Sequence, residues 1–245
     1  MGEHQPPTLE SITQMTTGFM LKKEPYGSMI RTMQETGFRT WGFVIYRGTY
    51  SDDALWQRYM DEMKEQIRNE LDRYGREELL MQYLSFTVIE DPSLEGASKD
   101  DIRKRFADWV AENNFDHPYL RGHPFPGLSR NPIPRFTHCL YVDQKCLDTL
   151  PIYEAWRDTG RAGIDLFVTS VIIDLDCKAG GRGRGGFPEV DGCTKSYPGW
   201  MYMCVDCIPE IYNTLSFEGL MDGYKSYARP PLIYPGHGHG ASMPT

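Results

Sequence analysis

The sequence predicts an α+β fold, a mostly antiparallel sheet with helices packed on one face, built from two strand-loop-helix units followed by three strands and a short helix. Two observations lead there. Short apolar runs alternate with helical periodicity over the first half of the chain, and from residue 136 onward apolar runs follow one another with one short helix near the end. Residues 1–36 read as an N-terminal extension, 37–231 as a single domain and 232–245 as a disordered tail.

Taken in order, residues 1–36 are polar and mixed, with a short apolar patch at 18–21, and are expected to drape over the domain. Residues 41–46 are nearly continuous in apolar and β-branched side chains, as in a strand within a sheet. Gly48-Thr49-Tyr50 breaks the run, and Ser51-Asp52-Asp53 supplies a cap and acids suited to the positive end of a helix. Trp56, Met60, Met63, Ile67 and Leu71 then recur at the spacing of one buried helix face. Residues 84–89 repeat the strand and Glu90-Asp91-Pro92 stops it. Ser98-Lys99-Asp100-Asp101 is a capping box opening a helix that buries Ile102, Phe106, Trp109 and Val110. Prolines and glycines, with His117 and His123 among them, make 114–134 a long loop. Strands follow at 136–142, 166–173 and 200–205. The glycine-rich run KAGGRGRGG at 178–186 has no large apolar anchor and reads as a flexible loop. Pro209 suits the first turn of a last helix over 210–215.

A chain of 245 residues is near the size at which one core stops growing, so one domain is favoured. Its net charge of −8 argues against indiscriminate binding to nucleic acid or to an anionic membrane. The N-terminus MGEHQPPTLESITQ has no basic region followed by an apolar run, and Pro6 stands where myristoylation needs Ser or Thr. No window approaches the roughly 18 apolar residues of a membrane span. A cytoplasmic, unanchored protein is expected, and in that setting its six cysteines are reduced.

The chemistry-bearing pattern lies at the strand ends. FVIYR ends in Arg47, but FTVIED ends in Glu90 and Asp91, CLYVD in Asp143, SVIIDLD in Asp174 and Asp176, and YMCVD in Asp206. An acid after a strand commonly just starts a turn. Carboxylates that converge instead need a cation: a guanidinium, an amine or a hard metal ion. Arg47 suits either an internal partner for one of them or a fork for a substrate anion. Trp41, Tyr46 and Tyr50 are candidate walls, with plain core as the alternative. Cys204 and Cys207 have CxxC spacing, yet within a strand residues three apart face opposite sides, so buried inert thiols are the default over a zinc or redox pair. His237 and His239 in GHGHG suit only adventitious metal binding. No cofactor is expected. No P-loop, GxSxG, HExxH or strand-flanked GxGxxG is present.

The stretch GFRTWGFVIYR at 37–47, with Thr87-Val88-Ile89-Glu90-Asp91, Gly96-Ala97-Ser98, residues 103–109, Tyr141-Val142-Asp143 and Gly199-Trp200-Met201, resembles a group of filamentous-fungal proteins over about residues 36–231. That group is similar in turn to the fungal arginine-containing cyclodipeptide synthases. These condense arginine, delivered as arginyl-tRNA, with a second amino acid into a diketopiperazine. No catalytic motif of that family aligns residue by residue, so the resemblance assigns no catalytic residue. It implies an enzyme of specialised metabolism with a cationic amino-acid substrate and an aminoacyl-tRNA partner.

Combined with the strand-end pattern, this makes Glu90, Asp143, Asp206 and Tyr46 the candidate catalytic residues and Arg47, Asp174, Trp41 and Tyr50 the candidate substrate-binding ones. Lys178, Arg182 and Arg184 in the glycine loop are the candidates for an RNA backbone, with Arg121, Arg130 and Arg135 in the proline-rich segment as further basic residues. The rivals are a non-catalytic binding protein, in which the acids only turn the chain, and a carboxylate-metal hydrolase.

Overall fold

The computed structural model describes residues 6–12, 24–113, 133–159, 167–177, 180–216, 227–234 and 243. Six strands form one sheet: β1 (Val44–Arg47), β2 (Thr87–Ile89), β3 (His138–Val142), β4 (Thr169–Asp174), β5 (Trp200–Cys204) and β6 (Ile233–Tyr234), in the order β2-β1-β3-β4-β5-β6. β1 is parallel to β2 and to β3, and β5 to β6; only the β3–β4 and β4–β5 pairs are antiparallel. The fold is α/β with a mixed, mostly parallel sheet. This corrects the expectation of a mostly antiparallel α+β sheet.

The reason lies in the connections. Parallel neighbours need a crossover of a dozen or more residues. The chain provides one of 21 residues, helix α2 (Asp53–Arg73), after β1 and one of 15, helix α4 (Lys99–Asn113), after β2. α2 starts where the Asp52 carboxylate accepts from the Leu55 amide at 2.8 Å. α4 starts where the Asp101 amide donates to Ser98 Oγ at 3.1 Å and that hydroxyl donates to the Asp101 carboxylate at 2.7 Å.

The chain leaves β1 in one direction for β2 and returns past β1 to reach β3. Right-handed crossovers in opposite directions put their helices on opposite faces. Side chains agree: Arg47 lies 5.1 Å from the ring of Trp56 in α2, whereas the Tyr141 hydroxyl, on the other face, donates to Ala97 O just ahead of α4 at 2.8 Å. The expectation of helices on a single face is corrected with the strand directions.

Helix α1 (Gly27–Thr36) buries Met29, Ile30 and Met33, so this part of the N-terminal region joins the core rather than draping over it. It packs against α7 (Ile208–Leu215), where Asn213 accepts from the Met29 amide at 3.0 Å. Tyr212 of α7 meets Phe43 and Trp41 edge-on at 5.1 and 5.7 Å. Among the described residues there are also three short or weakly buried helices, α3 (Glu77–Leu80), α5 (Gln144–Leu147) and α6 (Thr149–Thr159). β6 extends the sheet past residue 231, into what reads from sequence as tail. The predicted strand starts at 41 and 84 survive as one bridge, Trp41 with Leu84. Between that bridge and β1 stands Gly42, at φ +110 and so close to Ser85 O that a Cβ would lie 2.8 Å away. Among the described residues, no helix is long and apolar enough to cross a membrane.

Candidate functional site

In an open sheet whose crossovers change direction, the loops leaving the carboxyl ends of the two strands at the reversal part to opposite faces and open a crevice. Here those strands are β1 and β3. A cleft of about 730 Å³ lies at that position. Gly48 and Thr49 after β1, Gly96, Ala97 and Lys99 at the start of α4, and Asp143 and Gln144 after β3 form its near wall. Tyr141, Trp200 and Tyr202 are its floor, Tyr141 and Tyr202 lying in one row of the sheet through Val171. Glu189 to Asp191, Pro230, Pro231 and Met243 close the far side.

The near wall is tightly tied. The Gly96 amide donates to Gly48 O at 3.0 Å. A Cβ on Gly48 would fall 2.2 Å from the Tyr141 ring, so only glycine allows the strand to turn over that ring. Gln144 Oε1 accepts from Ser51 Oγ at 3.0 Å and from Thr49 Oγ1, joining the loop after β1 to the loop after β3. One Asp143 oxygen accepts from the Cys146 amide at 3.0 Å, and the other is 3.5 Å from Lys99 Nζ. Lys99 is also 3.7 Å from Asp191 and sits over the Trp200 ring, 4.8 Å from its centre.

The lining carries four carboxylates, Glu95, Asp143, Glu189 and Asp191, against two ammonium groups, Lys99 and Lys145. Burial, and after it the Asp143 charge, push both the Tyr141 and Tyr202 phenols above their ordinary range. Both therefore stay protonated and act as donors. Tyr141 spends its proton on Ala97 O; among the described residues the Tyr202 hydroxyl has no hydrogen-bond partner.

Of the residues singled out from sequence, Asp143 lines this cleft. Arg47, Tyr50 and Glu90 form a second cluster beside it. There Arg47 is 3.3 Å from Glu90 and 2.5 Å from Asp53, donates to Thr49 O at 2.8 Å, and lies 4.6 Å from the Tyr50 ring centre. Asp174 ends a strand of opposite direction and so sits at the other edge, bonded to Arg182 and, at 3.2 Å, to the Tyr197 hydroxyl. Asp206 lies in the turn after β5, beside Cys204 and Cys207. The four strand-end acids thus do not share one cavity. Tyr46 is buried, with a hydroxyl that meets no partner among the described residues and a phenol raised by burial; it pairs with Tyr141 across β1 and β3, and Arg105 and Asp108 of α4 both act on its charge. Trp41 is core, its indole donating to Leu80 O at 2.7 Å.

The predicted basic patch divides as well. Lys178 lies outside the described residues. Arg182 is engaged by Asp174 and lies 5.0 Å from the Tyr197 ring centre, while Arg184 is exposed. Arg135 is buried and donates to Gly42 O and Ser85 O at 2.9 and 2.7 Å, tying the start of β3 to the β1–β2 edge. The glycine loop is less free than its composition suggests: Arg182 bridges to Tyr197, and a Cβ on Gly181 would lie 2.3 Å from Tyr197 O.

Lys99, Asp191, Trp200 and Tyr202 are missing from the sequence-based set. The signal for Lys99 was the capping box, which marks a helix start after a parallel strand and hence, in this topology, a crevice wall. Compared with protein-family models, curated proteins and solved structures, the chain matches none.

Proposed function

We propose that the chain is an enzyme that binds a cationic amino acid in the cleft between β1 and β3 and uses it in aminoacyl transfer, with an arginine-containing diketopiperazine as product. The observation that carries the first part is the lining: an aromatic floor under four carboxylates and two lysines, complementary to a ligand with more positive than negative charge. Arginine, with two cationic groups and one carboxylate, has that balance. The aminoacyl donor and the diketopiperazine rest on the family resemblance alone.

In this reading Asp143 and Asp191 accept the guanidinium, and Lys99 turns from them to the substrate carboxylate. Tyr202, kept protonated, donates to the carbonyl oxygen on which charge develops during transfer. Amine attack needs a base, and with Asp143 and Asp191 on the guanidinium the lining carboxylates left for that role are Glu95 and Glu189. Arg184 is an exposed cation in the glycine loop for a carrier RNA.

Thermal denaturation with arginine, with the neutral isostere citrulline and with magnesium tests the binding step. At about 100 times its dissociation constant a ligand adds about 2.7 kcal/mol of apparent stability. Arginine should raise the transition and citrulline should not, and Asp143→Asn should remove the arginine effect. Equal shifts by both amino acids, or a shift by magnesium alone, would overturn the reading in favour of a metal-dependent hydrolase or an unrelated binding protein. Expression in a bacterial host, followed by a search of the medium for arginine-containing diketopiperazines, tests the transfer step separately.

A further inference from the structure

Three donor side chains lie together outside the cleft. β5 ends at Cys204, and Val205–Cys207 is a 3₁₀ turn leading into α7. In a continuing strand Cys204 and Cys207 would face opposite sides. The turn removes that obstacle. Both sulfurs and a carboxylate oxygen of Asp206 lie within 4.8 Å of one another. Cys207 Sγ is 3.5 Å from Asp206 Oδ1 and 3.9 Å from Tyr234 O of β6. Both cysteines are buried, and Asp206 is half-buried. Among the described residues no cation stands within ion-pair distance of the Asp206 carboxylate. Its described side-chain partner is a thiol.

From this geometry we infer that Cys204, Asp206 and Cys207 are ligands of one divalent transition-metal ion, zinc being the best match. Two thiolates exclude magnesium and calcium, which take oxygen ligands, and sulfur with one carboxylate suits zinc. A tetrahedral site with metal–sulfur bonds of about 2.3 Å sets its sulfurs roughly 3.8 Å apart, so the cluster needs to close by no more than about 1 Å. Binding takes one M²⁺ and two thiols, forms two metal–sulfur bonds and one metal–oxygen bond, and releases two protons to solvent. The fourth tetrahedral position is left to solvent or another ligand. The ion would join the end of β5 to the start of α7, where α2 packs against the turn. A redox pair fits less well, because neither thiol is exposed to attack. None of this depends on what the cleft binds.

Cobalt titration of the reduced full-length chain under inert gas is the test, because a thiolate-to-cobalt charge-transfer band in the near ultraviolet reports sulfur ligation directly. The expected result is one equivalent of cobalt per chain, displaced by zinc, with two protons released. Cys204→Ser and Cys207→Ser should each lose the band while circular dichroism shows a folded protein, and Cys193→Ser, outside the cluster, should keep it. Asp206→Asn, the variant least disturbing to packing, should weaken cobalt binding by at least the roughly 10–100-fold that loss of an outer-shell partner costs. A folded, fully reduced protein with no band overturns the site. So does a band that survives Cys204→Ser, cobalt spectra without the sulfur band, as imidazoles such as His237 and His239 would give, or closure of the pair to a disulfide with no metal uptake.

Discussion

Arg47 and Lys99 are the same motif built twice. Each is a cation between two carboxylates with aromatic rings against it, and each stands where a strand or helix borders the β1–β3 crevice. Arg47 is 6% exposed; one of its nitrogens reaches Asp53 at 2.5 Å, another donates to the Thr49 backbone, and two rings cover the guanidinium. Lys99 is 18% exposed, stands 3.5 and 3.7 Å from its carboxylates, beyond good hydrogen-bond length, and has one ring. A planar fork is held by geometry, whereas an ammonium on a flexible stem is held by charge and can exchange partners. The difference separates a side chain that fastens the sheet edge from one that faces the cleft.

The largest effect expected from breaking this comparison is at Arg47. Arg47→Met keeps the apolar stem but removes charge-assisted hydrogen bonds worth about 1.5–3 kcal/mol and the stacking on two rings. Asp53 and Glu90 are 82% and 47% exposed and return to water, so the loss should be about 2–4 kcal/mol rather than the full cost of stranding a buried charge. Urea unfolding measures it. A loss under about 1 kcal/mol would place Arg47 in the same class as Lys99.

Lys99→Met should change stability by no more than about 1 kcal/mol, the range of partly exposed ion pairs. Its effect should appear in recognition. If Lys99 holds a substrate carboxylate, the variant loses the preference for arginine over agmatine, which lacks that group, while agmatine binding is kept. Calorimetric titration of both ligands against both proteins decides the point. An unchanged preference would make Lys99 a mere counter-ion of Asp143.

Much of the architecture was legible because periodicity and caps are local. Trp56 to Leu71 at helical spacing, the Asp52 cap, the Ser98–Asp101 box and Pro209 all lie where the residues place them. α1 escaped notice because its first residue follows Tyr26 at φ +59 with no capping side chain, and α6 because it buries only Thr149 and Leu150. Strand direction is not local. Two strand-helix units in tandem favour a parallel arrangement, and the run of strands after residue 136 outweighed them. Neighbourhood decides the site as well: β4 lies antiparallel beside β3, so Asp174 ends at the opposite edge from Asp143, and no local pattern announces which strands adjoin. Asp191 was hidden for another reason, since it sits in an irregular segment fixed by a Val190–Cys193 bridge that no periodicity announces.

The smallest effect concerns the first turn of α4, which carries Lys99. Asp101 is held below its ordinary value of 3.8, first by the Ser98 hydroxyl and then by Lys104. An acid whose folded pKa lies below its unfolded one contributes stability that is complete above the unfolded value and is lost as the pH falls through the folded value. Asp101→Asn should therefore lower the protection of the Asp101 and Ile102 amides from hydrogen exchange near neutral pH. The difference from the parent chain should vanish at a pH low enough to protonate the parent's carboxyl as well, which lies below 3.8. The indole signal of Trp56, beside Arg47, should be the same in the two proteins at each pH, because the capping box belongs to the other face of the sheet. Equal loss of protection at both pH values would mean that Asn fails to cap for reasons of shape. The first turn would then owe nothing to the Asp101 charge, and the setting of Lys99 would be independent of pH.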